Sequence, residues 1–197
     1  MQVGIARRSL LNDQYCGDQS AYWQNEDRTI GCVIDGTGHG QKAEIVAKKA
    51  LQYVADHLDD PLPEIFNGCD RVLRDSRGAV MDIAVVEHHT GLLTFAGIGD
   101  VGAKIFRSHR MTSLHLPVQD GTLGRGARTV RLHSEPLDRG DVVVIHSDGV
   151  TKRIDLERYE SGVFSDAQKL AESILADFGR NTDDSAVLVM KCEADFL

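Results

Sequence analysis

The sequence predicts an α+β fold in which antiparallel sheets are covered by helices. Predicted strands follow one another across short turns, as antiparallel hairpins do. Predicted helices stand apart from these strands, without the strict strand–helix alternation that is typical of a parallel sheet. The chain has 197 residues, of which 42% are hydrophobic. This length and composition are those of a globular protein, and we expect one domain over residues 1–197.

Three segments place apolar residues at the spacing of one helical face. The predicted helices span residues 41–58, 63–74 and 166–178. Ser165 and Gln168 stand at the positions of a capping box at the start of the third helix, and Gly179 follows its last turn. We therefore expect three amphipathic helices that each turn one apolar face toward a sheet.

A larger set of short segments has the composition of β-strands. The predicted strands span residues 2–7, 19–25, 29–35, 80–88, 91–98, 102–107, 129–133, 141–147 and 185–191. Short turns at 26–28, 89–91 and 100–101 separate three pairs of neighbouring strands, and each turn predicts a hairpin. Residues 108–128 are polar and rich in glycine, which predicts a surface loop.

Composition argues against several classes of protein. The four cysteines lie far apart and form no CxxC pair, so we expect neither a zinc site nor a disulfide framework. The net charge of −8 disfavours binding to nucleic acid or to an anionic membrane. No apolar run approaches the ~20 residues that cross a bilayer, and the N-terminus lacks the apolar region of a signal peptide. We expect a cytoplasmic protein.

Acidic residues recur where predicted strands begin or end. Asp35 ends an apolar strand and is followed by Gly-Thr-Gly-His-Gly. The others are Asp18, Asp100, Asp148, Asp183 and Asp184. Any one of them suits a turn, because Asp can bond its own backbone. If several met in one place, a hard divalent cation would relieve their repulsion. Two such ions sharing one carboxylate would form a phosphoryl- or acyl-transfer site, and the bare backbone of Gly36 could approach an ion.

Five motifs together resemble the metal-dependent Ser/Thr protein phosphatases, the PPM or type 2C family. In chain order they are CGDQ, VIDGTGHG, GIGDVG, HSDGV and TDDSAVLV. The DGTGHG form and the small size resemble the bacterial branch of SpoIIE- and RsbU-type phosphatases, and within it the RsbX-type phosphatases of stress-signalling complexes. The resemblance implies an α-β-β-α sandwich of two antiparallel sheets flanked by helices.

The resemblance also implies a centre of two ions, Mn²⁺ or Mg²⁺. In the family pattern Asp35 would bridge both ions. Gly36, through its carbonyl, and Asp18 would complete the shell of one ion, and Asp148 and Asp183 would hold the other. Asp35 would thereby share in catalysis as well as in metal binding.

Other motif residues have less defined roles in this resemblance. Asp100 matches an acid that contributes to a third, weaker metal position, and Asp184 would support the ligands. His39 could be a general acid, a group that supports the ligands, or a turn residue. Many eukaryotic members have an Arg just upstream of the first acid, where it binds the substrate phosphate. That segment, LLNDQYCGD, has none here, and Arg7 and Arg8 are the nearest, so the phosphate would be held mainly by metal.

The implied activity is hydrolysis of phosphoserine or phosphothreonine on a regulatory protein by metal-activated water. The implied partners are components of a bacterial stress-signalling complex, the stressosome, or of an anti-sigma pathway. The alternative is a silent, phosphatase-like docking module, although a complete set of acidic ligands favours the enzyme. Residues 97–102 also fit GxGxxG, but a dinucleotide site needs a helix next, and the sequence there predicts a strand.

Overall fold

The computed structural model of the protein describes residues 1–126, 129–159 and 161–193. The strands are β1 Gln2–Arg8, β2 Asp18–Gln24, β3 Arg28–Gly36, β4 Ala79–Glu87, β5 Leu92–Ile98, β6 Gly102–Arg107, β7 Thr112–His115, β8 His133–Pro136, β9 Val142–His146 and β10 Ser185–Lys191. The helices are α1 Gln41–Asp56, α2 Leu62–Val72, α3 Ser161–Phe164 and α4 Ala167–Phe178, and a short 3₁₀ turn spans Leu10–Asn12. Among the described residues, no helix is both long enough and apolar enough to span a membrane.

The strands form two five-stranded antiparallel sheets. Sheet I has the order β1-β10-β9-β6-β7, and sheet II has the order β2-β3-β4-β5-β8. Helices α1 and α2 cover the outer face of sheet II, and α4 covers the outer face of sheet I. The two sheets face each other across a shared apolar core. The predicted α-β-β-α sandwich is confirmed.

Strand β9 shows how the sequence produces these layers. Val143 and Ile145 pack into the core between the sheets. Val142 and Val144 point the other way, into the core beneath α4. Because both faces of the strand are buried, its residues are apolar throughout rather than alternating with polar ones. The same double burial explains the apolar run that leads to Asp35 in β3, where every residue from Thr29 to Ile34 is buried.

One predicted hairpin is wrong. The turn at 100–101 does not pair β5 with β6, because β5 lies in sheet II and β6 in sheet I. The chain passes from one sheet to the other here, directly after Gly99. This residue has a φ of +103°, and a Cβ on it would lie 2.1 Å from Val80 Cγ1. The tight, left-handed backbone at Gly99 therefore redirects the chain between the sheets.

Three smaller expectations also need correction. The capping box at Ser165 is absent, because the cap is Asp166, whose side chain accepts from the backbone N–H groups of Gln168 and Lys169 at 2.9 and 3.1 Å. Strand β7 lies inside the predicted loop 108–128, of which residues 127 and 128 fall outside the described part of the chain. All four β7 residues are exposed, so no apolar pattern marked this strand. The strand predicted at 129–133 begins at 133 instead.

Candidate metal centre

The hairpin of β2 and β3 brings the first two acids together. Asp18 begins β2 and lies directly opposite Asp35, the residue before the end of β3. Residues that face each other in an antiparallel pair have side chains only ~5 Å apart. Asp18 is 2% exposed, and Asp35 is partly exposed. The register of this single hairpin therefore places a buried and a half-buried carboxylate side by side.

Two further acids come from sheet I and from the crossing between the sheets. Asp148 follows the end of β9, and Asp100 lies where the chain leaves β5 for β6. Carboxylate oxygens of Asp35, Asp100 and Asp148 all lie within 4.8 Å of one another. The acids thus meet at one end of the sandwich, where strands of both sheets end.

The acids line an open cleft of about 360 Å³. Asp35, Asp100 and Asp148 line it together with Asp183, which precedes β10. His39 also lines the cleft and is exposed. The structure therefore brings the predicted acids and His39 to one site, although Asp18 lies beneath the surface of the cleft.

The carboxylates repel one another in the absence of a cation. Burial, and then the charge of Asp35, raise the pKa of Asp18 well above its usual range. Burial, followed by the charges of Asp148 and Asp100, raises the pKa of Asp35 to about 7. The pKa of Asp148 is also raised, by burial and then by Asp100. Crowded, half-buried carboxylates with raised pKa values are typical of a functional site.

These residues fit a hard divalent cation. The Oδ2 atom of Asp18 is buried and has no hydrogen-bond partner among the described residues. A buried carboxylate oxygen without a partner is costly, and a bound ion would satisfy it. The four aspartates that line the cleft offer oxygen atoms, the donors that Mg²⁺ and Mn²⁺ prefer.

Gly36 has a structural reason to be glycine. It ends β3, and its N–H donates to the carbonyl of Gly17 at 3.1 Å. A Cβ at this position would lie 2.3 Å from the carbonyl oxygen of Ala43 in α1. The helix therefore packs against bare backbone here, independently of any ion. The carbonyl of Gly36 as a metal ligand stays a prediction.

Asp184 holds the backbone segment that leads to Asp18. It is 2% exposed, and its two carboxylate oxygens accept from the backbone N–H groups of Leu10 and Gly17, each at 2.7 Å. Asp184 thereby fixes the segment that leads directly into Asp18. The sequence motif contains Asp184, but nothing in the sequence shows the backbone groups that it binds, which are more than 160 residues away.

Asp82 is a buried acid that the sequence reasoning missed. It lies in the middle of β4, is fully buried, and has no hydrogen-bond partner for either oxygen among the described residues. Burial, and then the charge of Asp100, raise its pKa well above the usual range. Its carboxyl group comes so close to β5 that a Cβ at Gly97 would lie 2.2 Å from Asp82 Oδ1. The available signal was a single acid inside the apolar run AVMDIAVV.

Comparisons with known proteins agree with this geometry. Residues 25–193 match the family described as Stage II sporulation protein E (SpoIIE). The phosphoserine phosphatase RsbX of Bacillus subtilis (strain 168) is 23% identical over 136 residues, which are 68% of this chain and 67% of that protein. The matched family range includes Asp35, Asp100, Asp148 and Asp183.

Two solved structures share the fold. One was solved in work on the bacterial stressosome as a modular system adapted to control secondary messenger signalling. It is 28% identical with a TM-score of 0.85, covering 95% of this chain and 97% of that one. The other is RsbX in complex with magnesium, 18% identical with a TM-score of 0.82, covering 94% of this chain and 92% of that one.

Proposed function

The chain belongs to the SpoIIE family and is a PP2C-type protein serine/threonine phosphatase, and we propose that it hydrolyses phosphoserine or phosphothreonine with the help of two divalent cations. The observation that carries the proposal is the convergence of Asp35, Asp100 and Asp148 within 4.8 Å, beside a buried Asp18 oxygen that has no partner in the described structure. Such a cluster is stable only when cations or protons offset its charge.

The positions of the acids support a division of ligands. Asp35 pairs with Asp18 across the hairpin and has a carboxylate oxygen within 4.8 Å of one of Asp148. These contacts support the proposal that Asp35 would bridge the two ions. Asp18 and the Gly36 carbonyl would complete one shell, and Asp148 and Asp183 the other. Asp100 would contribute to a third, weaker position.

When bound, Mn²⁺ or Mg²⁺ supplies a nucleophilic water at neutral pH and offsets negative charge on the phosphoryl group. The aspartates that line the cleft would hold the cations in fixed positions. The open cleft would admit a phosphorylated side chain. No nucleophilic Ser or Cys is required. Support for divalent cations comes also from the magnesium that RsbX binds in its solved complex.

Regulatory proteins of a bacterial stress-signalling complex are the proposed substrates. This part of the proposal is supported by the similarity to RsbX and to the structure solved in work on the stressosome. A scaffold of the stressosome type or a protein of an anti-sigma pathway, phosphorylated on Ser or Thr, would present its phosphate to the cleft.

His39 is proposed as the general acid for the leaving group. It is an exposed residue in the lining of the cleft, so it is accessible to a substrate bound there. A general acid matters most for a poor leaving group such as a serine alkoxide. His39→Gln should therefore slow the hydrolysis of a phosphoserine peptide about 100-fold. It should slow the hydrolysis of p-nitrophenyl phosphate far less. Equal losses on both substrates would assign His39 a supporting role instead.

Hydrolysis of an aryl phosphate tests the main proposal. We expect turnover that requires Mn²⁺ or Mg²⁺, disappears with EDTA, and is lost in Asp35→Asn. Asp60→Asn makes the same charge change at an exposed position and is the matched control, which should keep its activity. Metal binding without turnover of either an aryl phosphate or phosphopeptides would favour the docking module.

A further inference from the structure

A second pocket adjoins the metal cleft. Its volume is about 300 Å³, and its walls include Arg8, Leu10, Asn12, Arg180 and Asp183. Asp183 lines both this pocket and the cleft. A substrate that places its phosphate in the cleft therefore lies directly beside the second pocket. We call this second pocket the arginine pocket.

One hydrogen bond joins the two arginines, from the side chain of Arg8 to the backbone of Arg180. Arg8 ends β1, and its Nη2 donates to the carbonyl of Arg180 at 2.9 Å. Gly179 provides the space for this contact, because a Cβ there would lie 2.8 Å from Arg8 Nη2. A guanidinium group has five N–H donors, and this contact uses only one of them. Donors of Arg8 therefore remain for a ligand.

The part of the pocket wall formed by the 3₁₀ turn is held in place by Asp184. Asp184, almost fully buried, accepts from the N–H of Leu10 at 2.7 Å. The Ser9 hydroxyl donates to the carbonyl of Asp13 at 2.6 Å, which closes the 3₁₀ turn from the other side. The pocket is therefore formed by a braced turn and not only by long surface side chains.

The charge of the pocket differs from that of its surroundings. In the described parts of the chain, neither Arg8 nor Arg180 forms an ion pair with a carboxylate. The protein as a whole carries a net charge of −8, and the adjoining cleft is strongly acidic. Two unpaired guanidinium groups at this position would attract an anionic group from a partner that the rest of the surface repels.

We propose that the arginine pocket binds a carboxylate side chain of the phosphoprotein substrate, one to three residues from the phosphorylated residue. The proposal rests on the phosphatase function, since the substrate phosphate must occupy the adjoining cleft. The planar fork of Arg matches a carboxylate in two parallel hydrogen bonds. The negative charge of Asp183 in the shared wall repels a phosphate dianion more strongly than a singly charged carboxylate, so the substrate phosphate belongs in the adjoining cleft.

Matched phosphopeptides test this specificity. We would compare peptides that carry Glu or Gln at each of the three positions on either side of phosphoserine. The wild-type protein should prefer Glu over Gln at one of these positions by about fivefold to tenfold in kcat/KM, mostly through KM. Arg8→Gln and Arg180→Gln should each reduce this preference to below about twofold, and Arg8→Lys should keep part of it.

Arg7→Gln is the matched control. Arg7 is the neighbouring residue of β1, and its guanidinium donates to the side chain of Gln19 instead of lining the pocket. This variant makes the same charge change and should keep the preference for Glu. Melting curves of all variants would show that each one is folded at the assay temperature.

Three outcomes would contradict the proposal in distinguishable ways. Equal kcat/KM for Glu and Gln peptides in the wild-type protein would overturn the carboxylate pocket and leave the phosphatase function intact. A loss in Arg8→Gln that is as large for an aryl phosphate as for the acidic peptide would assign the pocket to the substrate phosphate itself. Absence of metal-dependent turnover in the wild-type protein would overturn the proposed function, and the pocket with it.

Discussion

Replacing Asp35 by Asn should stabilise the metal-free protein while it removes activity. The pKa of the Asp35 carboxyl is about 7 in the folded protein, against 3.8 for a free side chain. Between these values the folded state holds a proton that the unfolded state has released, so stability falls as pH rises from about 4 to about 7 and then levels off. At about 1.36 kcal/mol for each pH unit, the complete penalty is at most about 4 kcal/mol above pH 7.

Asn cannot ionise, so Asp35→Asn removes this penalty. At pH 8 in EDTA we expect a gain of about 2–4 kcal/mol in the free energy of unfolding, which for a chain of this size raises Tm by at least about 4 °C. Near pH 4 the gain should fall below ~1 kcal/mol, because the wild-type carboxyl is then mostly protonated in the folded state and half protonated in the unfolded state.

Thermal unfolding followed by circular dichroism measures this difference. Asp60→Asn, with the same charge change at an exposed position, should leave Tm nearly unchanged. Adding Mn²⁺ should raise the Tm of the wild-type protein, since the ion binds only the folded state, and should raise that of Asp35→Asn much less. If Asp35→Asn melts below the wild type at pH 8 in EDTA, the reasoning is refuted. That result would show that the ionised carboxylate of Asp35 does not destabilise the metal-free fold.

Other residues give independent predictions. Gly36→Ala should lower the free energy of unfolding by about 1–3 kcal/mol, because its Cβ would lie 2.3 Å from the Ala43 carbonyl; an unchanged urea midpoint would contradict this contact. Asp184→Ala should cost about 1–3 kcal/mol and speed hydrogen exchange at the amide of Gly17, which loses its acceptor; wild-type exchange there would show that the amide is protected otherwise. Asp82→Val should stabilise the protein at pH 8 by about 1–3 kcal/mol, since it removes a buried carboxylate without a partner; a lower denaturation midpoint would indicate that Asp82 is satisfied in solution.

The sequence predicts those parts of the fold that depend on local pattern. The helical spacing of apolar residues locates α1, α2 and α4 to within about two residues, because each helix buries one face. The exposed strand β7 has no such pattern and was missed. The crossing after Gly99 was mistaken for a hairpin, because a short turn does not reveal that the next strand joins the other sheet.

Local motifs predict some residues of the candidate site, but not the contacts between distant parts of the chain. Motifs at strand ends identify Asp18, Asp35 and Asp148 as acids that could meet, and the structure brings them together. The hydrogen bond from the N–H of Leu10 to the carboxylate of Asp184 joins residues 174 positions apart. The contact of Arg8 with Arg180 spans 172 positions. Such pairings arise only when β1 and β10 align in sheet I, and no single-sequence pattern encodes them.

Anomalous diffraction from crystals grown with Mn²⁺ tests the central claim most directly. The account predicts two strong peaks about 3.5–4 Å apart, both in contact with the carboxylate of Asp35. One of them would lie beside Asp18 and the other beside Asp148. A weaker third peak near Asp100 would fit the same arrangement. An absence of ions at Asp35 in crystals saturated with Mn²⁺, or a single ion that leaves Asp18 without a partner, would contradict the account.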